Sequence, residues 1–126
     1  MNFEDQIRQT KFRNNFLKAI LNLKYTSSLY NSKEVEVFKK YGILAQHFNV
    51  MRIVRGVHPD SVSPGKILEV MLDPGRDLTR LVDKLVKLGL LVRITSPSNR
   101  RSVDINITEE GLTLIEKIGK DVDVFL

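Results

Sequence analysis

Apolar residues recur along this chain first with a helical period and later, over one short stretch, with a period of two. Phe12, Phe16, Ala19/Ile20, Leu23, Ser27 and Tyr30 follow one another at three- and four-residue steps, the spacing of one helical face. No proline or glycine interrupts Met1 to Tyr41. The pattern predicts a long helix from about Phe3 to Leu29, a break near Asn31-Ser32, and a short helix to about Lys40 with Ser32 as its N-cap. A helix of about 27 residues would be roughly 40 Å long at 1.5 Å per residue. A compact chain of this size is only about 36 Å across. The stripe therefore outruns its own domain and needs a further surface, for which a second copy of the chain is expected. A bend near Thr26-Ser27-Ser28 is the alternative.

Gly42 closes that region. Leu44, Phe48, Met51 and Val54/Arg55 mark a second helix, about Ile43 to Arg55, ended by Gly56. His58-Pro59-Asp60-Ser61 reads as a loop. Ser63-Pro64 reads as an N-cap followed by proline at the first helical position, and Ile67, Leu68, Met71 and Leu72 supply the apolar side of a short helix. Asp73-Pro74-Gly75 is a turn. Leu78, Leu81, Val82, Leu85 and Leu88 then give a sharply amphipathic helix, about 76–88, with Gly89 just past its end and Lys84 and Lys87 near its negative pole. Leu91 to Thr95 is β-prone, and Ser96-Pro97-Ser98-Asn99 is a turn signal. Val103, Ile105 and Ile107 alternate with Asp104 and Asn106, as in a half-buried strand. Thr108 caps a last helix whose first turn carries Glu109 and Glu110.

Helix, turn, helix and a hairpin with a basic tip form the order of a winged helix-turn-helix. A groove-reading helix needs an apolar inner face and an outer face with side chains that reach bases and phosphates. The helix at 76–88 meets both requirements. Arg76 and Arg80, four residues apart near its entering end, suit bases, and an arginine can be bidentate to guanine. Thr79 suits a phosphate or a thymine methyl, and Lys84, a turn later, a phosphate. The wing, 96–102, presents Ser98, Asn99, Arg100 and Arg101 to the minor groove or the backbone. The competing role for each of these charges is an ordinary solvated surface, and Asp77 and Asp83 pair naturally with neighbouring cations.

The charge distribution agrees. Residues 1–61 carry ten basic and five acidic side chains, 62–101 eight and four, and 102–126 two and six. The last segment, net negative, is the least suited to a polyanion. The absence of cysteine removes disulfides, thiolate metal sites and thiol chemistry. His47 and His58 are the only histidines. His47 falls near an apolar face and suits a satisfied core position, and His58 a loop. Neither a phosphate-binding glycine loop nor a nucleophile elbow occurs, so an enzyme is not expected, nor a metal or other cofactor. The N-terminal residues have no export pattern and no apolar run is long enough to span a bilayer. A cytoplasmic protein without membrane contact is the simplest expectation.

Gly56-Val57-His58-Pro59, Ile67 through Asp73, Leu78 through Leu85, Gly89-Leu90 and Asn99 through Gly111 together resemble the MarR (multiple antibiotic resistance regulator) family over nearly the whole chain. The run Leu78-Thr79-Arg80-Leu81-Val82-Asp83-Lys84-Leu85 and the wing ending in Thr108-x-x-Gly111 are the most specific parts. The resemblance implies a mainly α fold with a small β-hairpin. It places a winged helix-turn-helix at 43–108, flanked by N- and C-terminal dimerisation helices at 1–41 and 109–126, all in one domain. It also implies a bacterial transcription regulator that binds a pseudo-palindrome in double-stranded DNA as a homodimer, and a small aromatic effector between the dimer helices and the winged region. Tyr25, Tyr30, His47 and Phe48 are the candidates to line that cleft, with core packing the favoured competing role. A winged-helix protein–protein module without specific DNA binding is the alternative function, and a small-molecule enzyme a distant third.

Three features depart from the family pattern. Asn99 stands where an aspartate usually pairs with the arginine two positions on, here Arg101, and lacks the charge assistance of that bond. Gly75-Arg76 puts a flexible residue and a strong cation where small polar residues are frequent. Lys66 occupies N3 of its helix, where a capping-box glutamate would be favourable. A cation beside the positive end of a helix is locally unfavourable, and a DNA phosphate would relieve it. Ser63 and Lys66 therefore join the DNA-binding candidates.

Overall fold

The computed structural model describes residues 14–72, 77–95 and 102–124. The amphipathic N-terminal run forms helix α1, Asn15–Lys40, 26 residues without interruption and about 39 Å long. Both of its expected limits are corrected. Asn14 has extended backbone and its side chain accepts the Leu17 amide at 2.7 Å, so the helix starts at an asparagine cap and does not run through from Phe3. The expected break at Asn31-Ser32 is absent. Ser32 donates its hydroxyl to the Ser28 carbonyl at 3.1 Å, the back-bond a serine makes inside a helix. Its hydroxyl thus serves the preceding turn and caps nothing new. Gly42, with φ +70°, makes the left-handed exit that favours glycine.

Helix α2, Ala45–Gly56, starts two residues later than its apolar pattern suggests, because Leu44 is still extended and acts as N-cap. Helix α3, Pro64–Val70, has the expected Ser63 cap: the hydroxyl accepts the Lys66 amide at 3.2 Å. It ends before Met71, whose backbone is extended. Met71 is buried and Leu72 is exposed. Helix α4, Leu78–Lys87, is trimmed at both ends relative to 76–88. Asp77 is its N-cap, accepting the Thr79 amide at 3.0 Å, and Leu88 its C-cap. Gly89 follows at φ +77°.

Strands β1, Leu91–Thr95, and β2, Val103–Ile107, pair antiparallel with Leu91 opposite Ile107 and Thr95 opposite Val103. Ile105 and Ile107 are buried as the alternation requires, while Val103, nearer the tip, is exposed. Val62 adds a bridge to Ile105, their amides and carbonyls bonding both ways at 2.9 and 2.8 Å. Asn106 donates to the Pro59 carbonyl at 3.1 Å, tying the hairpin to the loop before α3. Helix α5, Glu109–Asp123, closes the chain, capped by Thr108.

The main core joins α2, α3, α4 and the hairpin through Val50, Met51, Val54, Ile67, Leu81, Leu85 and Ile105. A smaller core joins the end of α1 to α5 through Val37, Phe38, Ile118 and Val122. Phe48 touches both, and its ring stacks on Phe38 at 5.0 Å between centroids. The Tyr41 hydroxyl donates to the Asp121 carboxylate, closing the corner where α1 ends against α5. The buried residues of α1 are Val37 and Phe38, both in its last turn. Phe16 is 75% exposed and Leu23 71%, and Ile20 between them is also exposed. Most of the apolar stripe that predicted the helix thus has no cover within the described residues of one chain. None of the described helices is long and apolar enough to cross a membrane.

Candidate nucleic-acid interface

Four residues, Leu78, Leu81, Val82 and Leu85, bury the inner face of α4, and Val86 is half-buried beside them. By the helical period the other face must be presented outward. Thr79, Arg80, Asp83, Lys84 and Lys87 are all exposed there. Leu88, expected to extend the inner face, is exposed at the C-cap.

Both acids of this surface are paired. Asp77 lies 3.7 Å from Arg80 Nε, within the same turn. Asp83 is bonded to the Arg93 guanidinium from β1. The two pairs leave Lys84 and Lys87 as the cations of α4 without an ion-pair partner among the described residues. Exposed pairs of this kind contribute little stability, typically under about 1 kcal/mol. Their consequence here is electrostatic: each cancels a carboxylate that would repel a phosphate.

Ser63 and Lys66 stand at the start of α3. The Ser63 hydroxyl is engaged by the Lys66 amide, so it serves as a cap, while the Lys66 side chain is exposed. Arg76, Ser98, Asn99, Arg100 and Arg101 lie outside the described residues. The hairpin that would carry the last four is described to Thr95 on one side and from Ser102 on the other.

The four residues named for an effector cleft do not converge. Tyr30 and Phe48 share a cavity of about 540 Å³ between α1 and α2, with Glu34, Phe38, Asn49 and Arg52 among its other walls. Burial raises the pKa of Tyr30, with Glu34 beside it adding to the effect, and burial raises that of Glu34. Arg52 donates to the Asn49 side chain at 2.8 Å. Tyr25, more than a turn earlier on α1, is not among the lining residues, and neither is His47. His47 is 4% exposed, with Nδ1 accepting the Leu44 amide at 2.9 Å. Among the described residues no group of three or more His, Asp or Glu side chains is disposed to hold a metal ion.

Sequence reasoning missed Arg93, Glu34 and Arg52. Arg93 is ten residues from Asp83 in the chain and meets it only because β1 returns alongside α4. Glu34 and Arg52 belong to a cavity made by two helices whose mutual placement no local pattern encodes.

Three helices, a two-stranded wing and a closing helix, with an amphipathic helix immediately before the wing, define a winged helix-turn-helix protein. No protein-family model matches the chain. A MarR transcription factor from Planctomyces limnophilus is similar in structure with a TM-score of 0.73 at 32% identity, over 90% of this chain and 82% of that one. Wild-type MarR from E. coli shares the fold, with a TM-score of 0.66 at 24% identity, over 90% of this chain and 78% of that one. Among curated proteins, the HTH-type transcriptional regulator PecS of Dickeya dadantii is 34% identical over 88 residues, 68% of this chain but 52% of PecS. The HTH-type transcriptional regulator PapX of Escherichia coli is 28% identical over 115 residues, 91% of this chain and 69% of PapX. The chain thus spans about half the length of PecS. It belongs to the MarR family.

Proposed function

We propose that the chain is a sequence-specific, double-stranded-DNA-binding transcriptional regulator, not an enzyme, acting in the cytoplasm as a homodimer on a pseudo-palindromic site. The single observation that carries this reading is α4. Its inner face is fully occupied by the core, its acids are neutralised in place, and Thr79, Arg80 and Lys84 are left on one exposed surface. That is the charge arrangement a helix needs to enter a major groove. In this reading Arg76, Thr79 and Arg80 face bases and Lys84 a phosphate. Ser98, Asn99, Arg100 and Arg101 carry the wing to the minor groove or the backbone. Residues 43–108 form the DNA-binding part, and the helices within 1–41 and 109–126 the dimer. The family relatives named as HTH-type transcriptional regulators support the class of activity. The cavity of Tyr30 and Phe48 is the place for a small aromatic effector that releases the DNA.

Selection of bound sites from random duplex DNA, followed by a salt series on the enriched site, tests the reading. An inverted repeat with half-sites about one helical turn apart, and an affinity falling steeply with salt as counterions are released, are expected. No enriched motif and a flat salt response would leave a protein–protein module as the better account. Arg80→Ala should cost about 1–3 kcal/mol on the selected site and relax preference at one base position.

Lys66 has a separate signature. If its ammonium sits on a phosphate, Lys66→Glu weakens binding to all sequences alike and lowers the salt slope by about 1. Unchanged affinity with an unchanged slope would remove Lys66 from the interface.

A further inference from the structure

His47 is an ionisable side chain held inside the described core, and it performs a task that depends on its charge state. It occupies the N3 position of α2. Leu44, the N-cap, has no side-chain oxygen to offer the exposed amides of the first turn. The imidazole takes over part of that role by reaching back, Nδ1 accepting the Leu44 amide at 2.9 Å. A ring nitrogen can accept only while it carries no proton.

Everything around the ring opposes a positive charge. The residue is buried. It sits in the first turn of α2, where the helix end is itself positive. From α4 the charged group facing it is Lys84, and Lys39 of α1 lines the same cavity as Leu44 and Lys84. No carboxylate among the described residues is paired with it. Burial first, and Lys84 second, hold its pKa below the ordinary histidine value.

We propose that His47 is an acid-release latch: on gaining a proton the ring forfeits its bond to Leu44, sets a second positive charge against Lys84 of α4, and loosens DNA. The DNA limb of this proposal rests on the regulator reading above, and the folding limb does not. The sign follows from linkage. A folded-state pKa below the unfolded one means that the unfolded chain binds more protons. The stability contributed by neutral His47 is therefore complete above the unfolded histidine value, about 6.5, and is lost as pH falls from there through the folded value. General electrostatics runs the other way, since a protein that gains positive charge in acid should hold DNA more tightly.

The test compares the wild type with His47→Asn, whose amide oxygen can accept from Leu44 but does not titrate. Thermal midpoint and affinity for duplex DNA are followed from about pH 7.5 to about pH 4.5, through the ordinary histidine range and below it. The wild type should lose midpoint and bind DNA several-fold more weakly in acid, while His47→Asn keeps both. Equal acid dependence in the two proteins, or a wild type that tightens on DNA in acid without losing midpoint, overturns the latch. If neither protein binds DNA at any pH, the regulator reading fails while the difference in midpoint still decides the latch. Should His47→Asn not fold, the ring resonances of His47 in the wild type decide. A His47 that titrates at the ordinary histidine value, about 6.5, refutes the proposal, and one that titrates at lower pH, with the midpoint falling in step, supports it.

Discussion

Gly111→Ala should lower the thermal midpoint by several degrees, although alanine is the better helix former. Gly111 is the third residue of α5, and its amide donates to the Thr108 hydroxyl at 3.0 Å. A Cβ built there would lie 2.3 Å from the Leu90 carbonyl oxygen and 2.6 Å from Ile107 Cγ1. The Leu90 carbonyl cannot rotate away, because it already accepts the Thr108 amide at 3.1 Å. The same joint is held by the Thr108 hydroxyl, which donates to the Gly89 carbonyl at 2.6 Å. Replacing glycine in a helix gains about 1 kcal/mol of propensity. Forcing atoms into a packed core costs about 1–3 kcal/mol, and more when backbone must move. The clash wins, with a net loss of roughly 2 kcal/mol, or about 6–10 °C in a domain of this size. Gly119, on the same helix, has nothing within 4 Å of its would-be Cβ, and Gly119→Ala should be neutral or stabilising by up to about 1 kcal/mol. Opposite signs for the two changes in thermal denaturation would establish the close approach. A Gly111→Ala protein as stable as the wild type would refute it.

The same glycine shows where a sequence can be read and where it cannot. Thr108-x-x-Gly111 is recognisable as a family pattern, yet the reason for its glycine is above all the approach of the Leu90 carbonyl, which is remote in the chain until the wing folds back. The elements themselves are legible wherever burial is one-sided. Leu78, Leu81, Val82 and Leu85 stand at helical spacing because one face meets the core, and Ile105 and Ile107 alternate for the same reason. Signals that depend on a single polar side chain are weaker. Ser32 resembles a cap but bonds backwards within α1, whereas Asn14, lost among several asparagines, is the cap. Of the candidate site, the outward face of α4 is legible because it is the complement of its apolar stripe. The pairing of Asp83 with Arg93 and the cavity of Tyr30 and Phe48 arise from tertiary placement and leave no local trace.

On the proposed homodimer, Phe16→Asp or Leu23→Asp should separate the two copies and, with that, abolish the high affinity proposed for an inverted-repeat site. These side chains lie on the stripe of α1 that also holds Ile20, and all three are exposed on the single chain. Fully burying a large apolar side chain is worth about 1.5–3 kcal/mol, and a two-fold axis would count each residue twice. An aspartate on that face removes the apolar gain and sets a carboxylate and its symmetry mate in an apolar seam, where unpaired charge is strongly unfavourable. The protomer itself loses little, because an exposed substitution away from caps and cores usually stays within about 0.5 kcal/mol. The expected result in light scattering is therefore a folded monomer. Each half-site would then be bound alone, and losing the linkage between two modules reduces affinity by about 10²- to 10⁴-fold. Val70→Asp, an exposed apolar-to-acid change on α3 outside both dimer segments, serves as the charge control and should leave mass unchanged. A Leu23→Asp protein that remains dimeric and binds DNA normally would mean that the stripe is covered by something other than a second copy, and the length of α1 would need a different explanation.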